Sequence, residues 1–212
     1  MRHLLRNATD AAHRALHGHP AFAALLRGNL SRDGYARLLS RLLGLHDPIE
    51  RRLRCHDAHP LMAWRRIGAE SPRPSRLRQD LSALGIDADA LALVPMADAA
   101  ILPATDNIAA ALGCAWVVEG SAMGGVVLSR HVAAIVGGPG GGDSFFSSQP
   151  HNKERWRQCC AAVEQCGSGT RNRAIMVAAA IATFAAFQTW LIPDKSPWAS
   201  APDSSGSGVQ QL

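Results

Sequence analysis

Apolar residues recur at intervals of three and four along most of the chain, and no stretch alternates in the two-residue rhythm of a half-buried strand. Leu4, Leu5, Ala8, Ala12, Ala15 and Leu16 place one helix over Arg2–His17, ended by the Gly18-His19-Pro20 break. A short segment, AFAALLRG, follows. Ser31 then stands as the N-cap of a long helix, SRDGYARLLSRLLGLHDPIERRLRC, in which Pro48 predicts a kink. ESPRPSRLRQDLSALG is a proline-broken connection into a short helix closed by Gly85, and DADALALVPMADAAILP is short helix and loop. ATDNIAAALGCAWVVEGSAMGGVVLSRHVAAIVGG predicts one long helix or two abutting ones. GGPGGGD reads as a flexible connection, and HNKERWRQCCAAVEQC and Thr170 to Leu191 are the last two helices. The expectation is an all-α, single-domain, multi-helical bundle over residues 1–192. The Pro-, Ser- and Gly-rich residues 193–212 are expected to form a disordered tail.

Composition sharpens this picture. The 212 residues are 47% hydrophobic and 18% charged, with few aromatics, which suits a helical core and excludes a disordered chain. The formal charge of +5 comes mainly from arginines in the first third of the chain. That suits an acidic partner or an anionic ligand, or only a solvated surface. Five cysteines include no CxxC pair, so neither a disulfide framework nor a zinc site is indicated, and a reducing cytoplasm is the plain expectation. The N-terminus is too charged for a signal peptide. Ala174 to Leu191 carries no charge over a spanning length, but its many alanines, its Thr and Gln residues and the following Pro193 favour a buried core helix over a membrane span.

Within the long helical stretch, EGSAMGG sets Gly120, Ser121, Gly124, Gly125 and Leu128 on one stripe. Each interior glycine costs about 1 kcal/mol relative to alanine. A stripe of small residues admits either a neighbouring helix or something flat lying close to the backbone. The segment lacks the strand and the lysine of a phosphate loop. Among the nine histidines, His13 and His17 share a helix face at i, i+4, but Arg14 replaces the glutamate of a zinc-hydrolase motif. A lone neutral imidazole also suits a heme iron. His46 and Glu50, with Glu119 far along the chain, sketch a di-iron bundle site that lacks the repeated Glu-x-x-His motif. Arg6 lies two turns from His13 on the same face, and Lys153 and Arg157 form an i, i+4 pair. Such cations can hold a ligand's carboxylates or face solvent.

LLRNATDAAHRAL resembles the opening of heme oxygenases, and HPAFAALLRGNLSRDGYARLLSRLLGLHDPIE is similar to the next part of their bacterial branch. LGCAWVVEGSAMGG resembles that branch's distal-helix motif. SFF, RW and IATFAAFQTWL fit its C-terminal half, so the resemblance spans about residues 4–191. It implies His13 as the proximal iron ligand and a distal helix at Gly120, Ser121, Gly124 and Gly125. It implies propionate contacts from Arg6 and, more loosely placed, Lys153 and Arg157. The implied reaction is oxidative cleavage of heme, both substrate and cofactor, to biliverdin, with release of CO and ferrous iron. It would use O2 and electrons from a ferredoxin, flavoprotein or reductase. A phytochrome is an implied biliverdin acceptor, and neither nucleic acid nor a membrane is an expected partner. Ser121 stands where animal-type members carry Asp; the bacterial branch commonly has Ser. The alternatives are a non-catalytic heme-binding or sensing protein on this fold, and a non-heme di-iron oxygenase.

Overall fold

The computed structural model describes residues 1–191, apart from the side chain of Val126. The expected tail at 193–212 lies outside the described residues. The described residues contain no strand and comprise α1 (Arg2–His17), α2 (Pro20–Leu26), α3 (Arg32–Arg54), a 3-10 helix (Pro60–Arg66), α4 (Arg73–Ala83), α5 (Ala88–Ala92), α6 (Ile108–Val136), α7 (Asn152–Cys166) and α8 (Thr170–Leu191). The all-α expectation holds.

The helix starts follow local chemistry. Ser31 Oγ accepts the Gly34 N–H at 3.0 Å, as its position before α3 predicts. Asn107 Oδ1 does the same for Ala110 at the start of α6, at 3.0 Å. Pro48 stays inside a continuous α3 rather than ending it. The long glycine-bearing stretch is one helix, and Gly137, at φ 82°, ends it in the left-handed conformation that an L side chain resists.

α6 and α8 form the most extensive helix pair, with α7 on α6 and α1 on α8. The pair is close because Gly113 has no Cβ: one would collide with the Met176 carbonyl of α8. Thr183, fully buried on α8, satisfies its hydroxyl by donating to Ala179 O at 2.7 Å. α6 and α8 each carry a stretch long and apolar enough to cross a membrane. Here they bury Val118, Met176, Ala180 and Phe187 in the bundle's own core, so the core-helix reading of Ala174–Leu191 holds. The glycine-rich connection after α6 is pinned rather than loose. Tyr35 Oη donates to Gly142 O at 2.8 Å, and Asp80 of α4 accepts the Ser144 and Phe145 N–H groups at 2.9 and 2.8 Å.

Candidate functional site

α1 buries Leu5 and Thr9 and turns Arg6, His13 and His17 outward. The seven-residue step from Arg6 to His13 is two turns, so both sit on one exposed face. The His13 ring meets Phe184 of α8 edge-on at 6.0 Å, and its Nε2 lies 3.2 Å from that of His17. Partial burial, with the neighbouring His17 and Arg6 against an opposing Asp10, lowers the His13 pKa. The ring is therefore neutral at neutral pH and offers a lone pair, the form a metal takes.

The α6 stripe divides by position. A Cβ on Gly120 would touch Trp156 of α7 at 3.4 Å, and one on Gly125 would touch Phe146 at 3.6 Å. These two glycines lie against protein. Gly124 is exposed and a Cβ there would meet nothing within 4 Å, while the neighbouring Ser121 is exposed too. Ser121 Oγ donates to Val118 O at 2.7 Å, leaving its lone pairs outward. Both meanings that the sequence leaves open thus occur in one helix: the stripe's edges serve packing and its centre is open. α1 and α6 are both seated on α8, so His13 and this open centre belong to helices with a common support.

The predicted cations differ in their engagement. Arg6 and Lys153 are exposed and make no hydrogen bond or ion pair among the described residues. Arg157 is exposed but donates to Glu154 of its own helix through Nε at 2.9 Å and Nη2 at 2.6 Å.

Glu119, next to the stripe, has a different role from the one its spacing suggests. It is 3% exposed and grips Arg73 of α4 at 3.0 and 2.7 Å and Arg155 of α7 at 2.7 and 3.2 Å. Arg73 also donates to Glu50 at 3.1 Å, and Arg65 binds Glu50 at 3.0 Å and Asp57 at 2.6 Å. Burial pushes the Glu119 carboxyl up, but Arg73 and Arg155 outweigh it and hold it at about 2. Glu50 is likewise held low against its own burial by Arg73 and Arg65. His46 is buried between Phe145 and Phe187, each ring 5.4 Å away, and its Nδ1 has no partner. Burial, then Arg73, lowers its pKa to about 3. The di-iron alternative fails on this donor set, because both carboxylates are saturated by guanidinium. No group of three or more metal-ligating side chains exists among the described residues. The sequence exposed Glu50 and Glu119 but not their partners, which lie on α4, α7 and the 3-10 helix.

Residues 1–192 match the heme oxygenase family model. A heme oxygenase of Xanthomonas campestris is 30% identical over 178 residues, covering 82% of this chain and 98% of that one. Two solved structures share the fold. A heme oxygenase-1 from the cyanobacterium Synechocystis, in complex with heme, superposes with a TM-score of 0.72 at 17% identity, over 88% of each chain. A heme oxygenase from Leptospira interrogans gives 0.70 at 18% identity, over 89% of this chain and 96% of that one. With a match across the whole folded region, the chain belongs to the heme oxygenase family.

Proposed function

We propose that this chain cleaves heme to biliverdin, CO and ferrous iron, with His13 as the residue that would hold the iron and Ser121 and Gly124 of α6 as the surface that would receive the flat ring. The observation that carries the site is the exposed, neutral His13 on α1 and the exposed Ser121 and Gly124 on α6, two helices that both pack on α8. These residues fit heme: a single imidazole for the iron, bare backbone for a flat ring, and cations for two carboxylates. Bound heme supplies the iron at which O2 is reduced by electrons from outside the protein.

His13 would hold the iron, in place of its present contact with His17, and its lowered pKa leaves the ring nitrogen unprotonated for that role. Gly124 lets the α6 backbone approach to van der Waals distance, where a methyl group would hold it off. Ser121 keeps its proton on Val118 O, so its oxygen would be free to accept from a water beside the bound ring. Gly120 and Gly125 act indirectly by letting α6 settle on Trp156 and Phe146. Arg6 and Lys153 hold propionates, and Arg157 joins them by sharing its fork with Glu154. The basic surface docks an acidic electron donor such as a ferredoxin or a reductase. Biliverdin passes to an acceptor such as a phytochrome. The five free cysteines suit a reducing cytoplasm.

An optical titration with hemin, followed by ascorbate or a reductase system, tests this in parallel on the wild type and His13→Ala. The expected result is a saturable Soret band that decays to a biliverdin spectrum. In His13→Ala that band shifts and turnover is lost, and added imidazole restores the band position. A Soret band that persists under reductant identifies a heme-binding protein without turnover. An unchanged spectrum in His13→Ala removes His13 as the ligand.

A further inference from the structure

A cavity of about 310 Å³ lies away from α1 and from the open strip of α6. It is bounded by the starts of α4 and α7 and by the chain around Gly68. Both helices present their N-termini there, through Pro72–Arg73 and His151–Asn152, and neither N-terminus carries a side-chain cap. The Ser75 and Arg76 N–H groups turn back to Pro72 O and the Asn152 N–H to Gln149 O, so what these helix starts offer an anion is chiefly their partial positive charge.

The arginines lining the cavity are unequally matched. Arg65, Arg73 and Arg155 are paired with Glu50, Asp57 and Glu119. Arg76 has no carboxylate partner. It is 9% exposed, its Nε is buried with no acceptor, and its hydrogen bond goes to the Ser71 carbonyl at 3.2 Å. Asp80, on the same helix, is committed to the Ser144 and Phe145 N–H groups. Arg54 at the rim is exposed and makes no ion pair. Of the carboxylates that line the cavity, Glu50 and Asp57 are engaged by arginine, while Glu70 turns largely to solvent, 3.5 Å from His151, an ion pair only when that imidazole is protonated. Burial, with Arg73 and Arg155 close by, lowers the Arg76 pKa to about 10, as expected of a buried cation without its counter-charge.

We propose that this cavity is a binding site for a small oxyanion, a phosphate or a dicarboxylate, held by Arg76 and Arg54 beside the positive ends of the α4 and α7 dipoles. A buried, unpaired guanidinium is costly to leave unmade, and a planar or tetrahedral oxyanion fits its fork with two parallel hydrogen bonds. The site is independent of heme, so it stands or falls apart from the proposed reaction.

Thermal unfolding of the full chain without heme, titrated with inorganic phosphate or with succinate against sodium chloride at matched ionic strength, tests it. The expected result is a saturable rise in Tm from at least one of the two anions, and the effective one names the ligand class. Arg76→Gln should weaken the apparent affinity by about tenfold or more, the loss of one charge-assisted contact. Arg76→Gln deletes an unpaired buried charge and should fold. Arg54→Gln, on the exposed rim, gives a second variant whose effect does not depend on the core, and Arg171→Gln on the far α8 should bind like wild type. The proposal is overturned if neither anion exceeds chloride, or if Arg76→Gln and Arg54→Gln both bind like wild type.

Discussion

Removing the carboxylate of Glu119 would leave Arg155 buried with no carboxylate partner and Arg73 with only its single contact to Glu50. The three side chains are 3%, 6% and 13% exposed, so water cannot replace the lost partner. Breaking one side of such a buried network costs about 3–5 kcal/mol. Glu119→Ala should therefore lower the urea midpoint by a corresponding amount, and equilibrium unfolding followed by circular dichroism measures it. A loss within the range of a surface mutation would mean that the network is not needed to fix α4 and α7 on α6. The same residue marks the limit of reading single positions. A carboxylate beside a glycine stripe does not declare whether it meets a metal or a guanidinium, and its partners are 46 and 36 residues away. His13 was more legible, because helix phase alone puts it on a face with Arg6.

Elements were legible wherever a cap or a sustained 3.6-residue period marked them. The bounds of α1 and α8 follow from the pattern, and so does the Ser31 cap. The 3-10 helix at Pro60–Arg66 was not foreseen, since it has no period of its own. It is held by local bonds, His59 Nδ1 accepting the Leu61 N–H at 3.1 Å and Trp64 Nε1 donating to Leu61 O at 2.9 Å. The division of the α6 stripe was also invisible, because glycines that pack and glycines that stay open look alike in sequence. They separate by experiment. Gly124→Ala adds a methyl group to open space and removes the backbone entropy of an interior helical glycine, so it should stabilise the free protein by up to about 1 kcal/mol. Hemin affinity and turnover should fall in the same variant, since the methyl would stand on the surface proposed to receive the macrocycle. Gly113→Ala drives a methyl into the Met176 carbonyl and should destabilise. Chemical unfolding and a hemin titration on both variants give the comparison. A Gly124→Ala protein that is more stable and binds hemin as before would place the heme elsewhere.

At the scale of the whole molecule, burial of charge makes the bundle's stability depend on pH. His46 is 1% exposed at the centre of α3, among rings from α8 and from the loop after α6. The nearby charges are mixed, with Arg73 and Arg76 lowering its pKa and Glu50 and Glu119 raising it, and burial dominates. Its folded value is about 3 against 6.5 for the free side chain. Between those values the unfolded chain takes up a proton that the folded chain refuses. Stability therefore falls as pH drops from 6.5 toward about 3, by up to about 1.4 kcal/mol per pH unit. Glu119 behaves differently in range but not in sign. Its folded value of about 2 lies below the ordinary 4.5, so its contribution is whole above 4.5 and is lost as pH falls through about 2. The range from 6.5 down to 4.5 therefore belongs to histidine, where His13 and His19 add smaller effects of the same sign through their lowered pKa values. His46→Leu should lower stability at neutral pH through lost ring contacts, yet flatten its decline between neutral pH and about pH 5. Glu119→Gln should leave the slope in that range unchanged. Urea unfolding of the three proteins at both pH values measures the slopes. If His46→Leu declines as steeply as the wild type, then the buried imidazole is not the group that makes the bundle acid-sensitive.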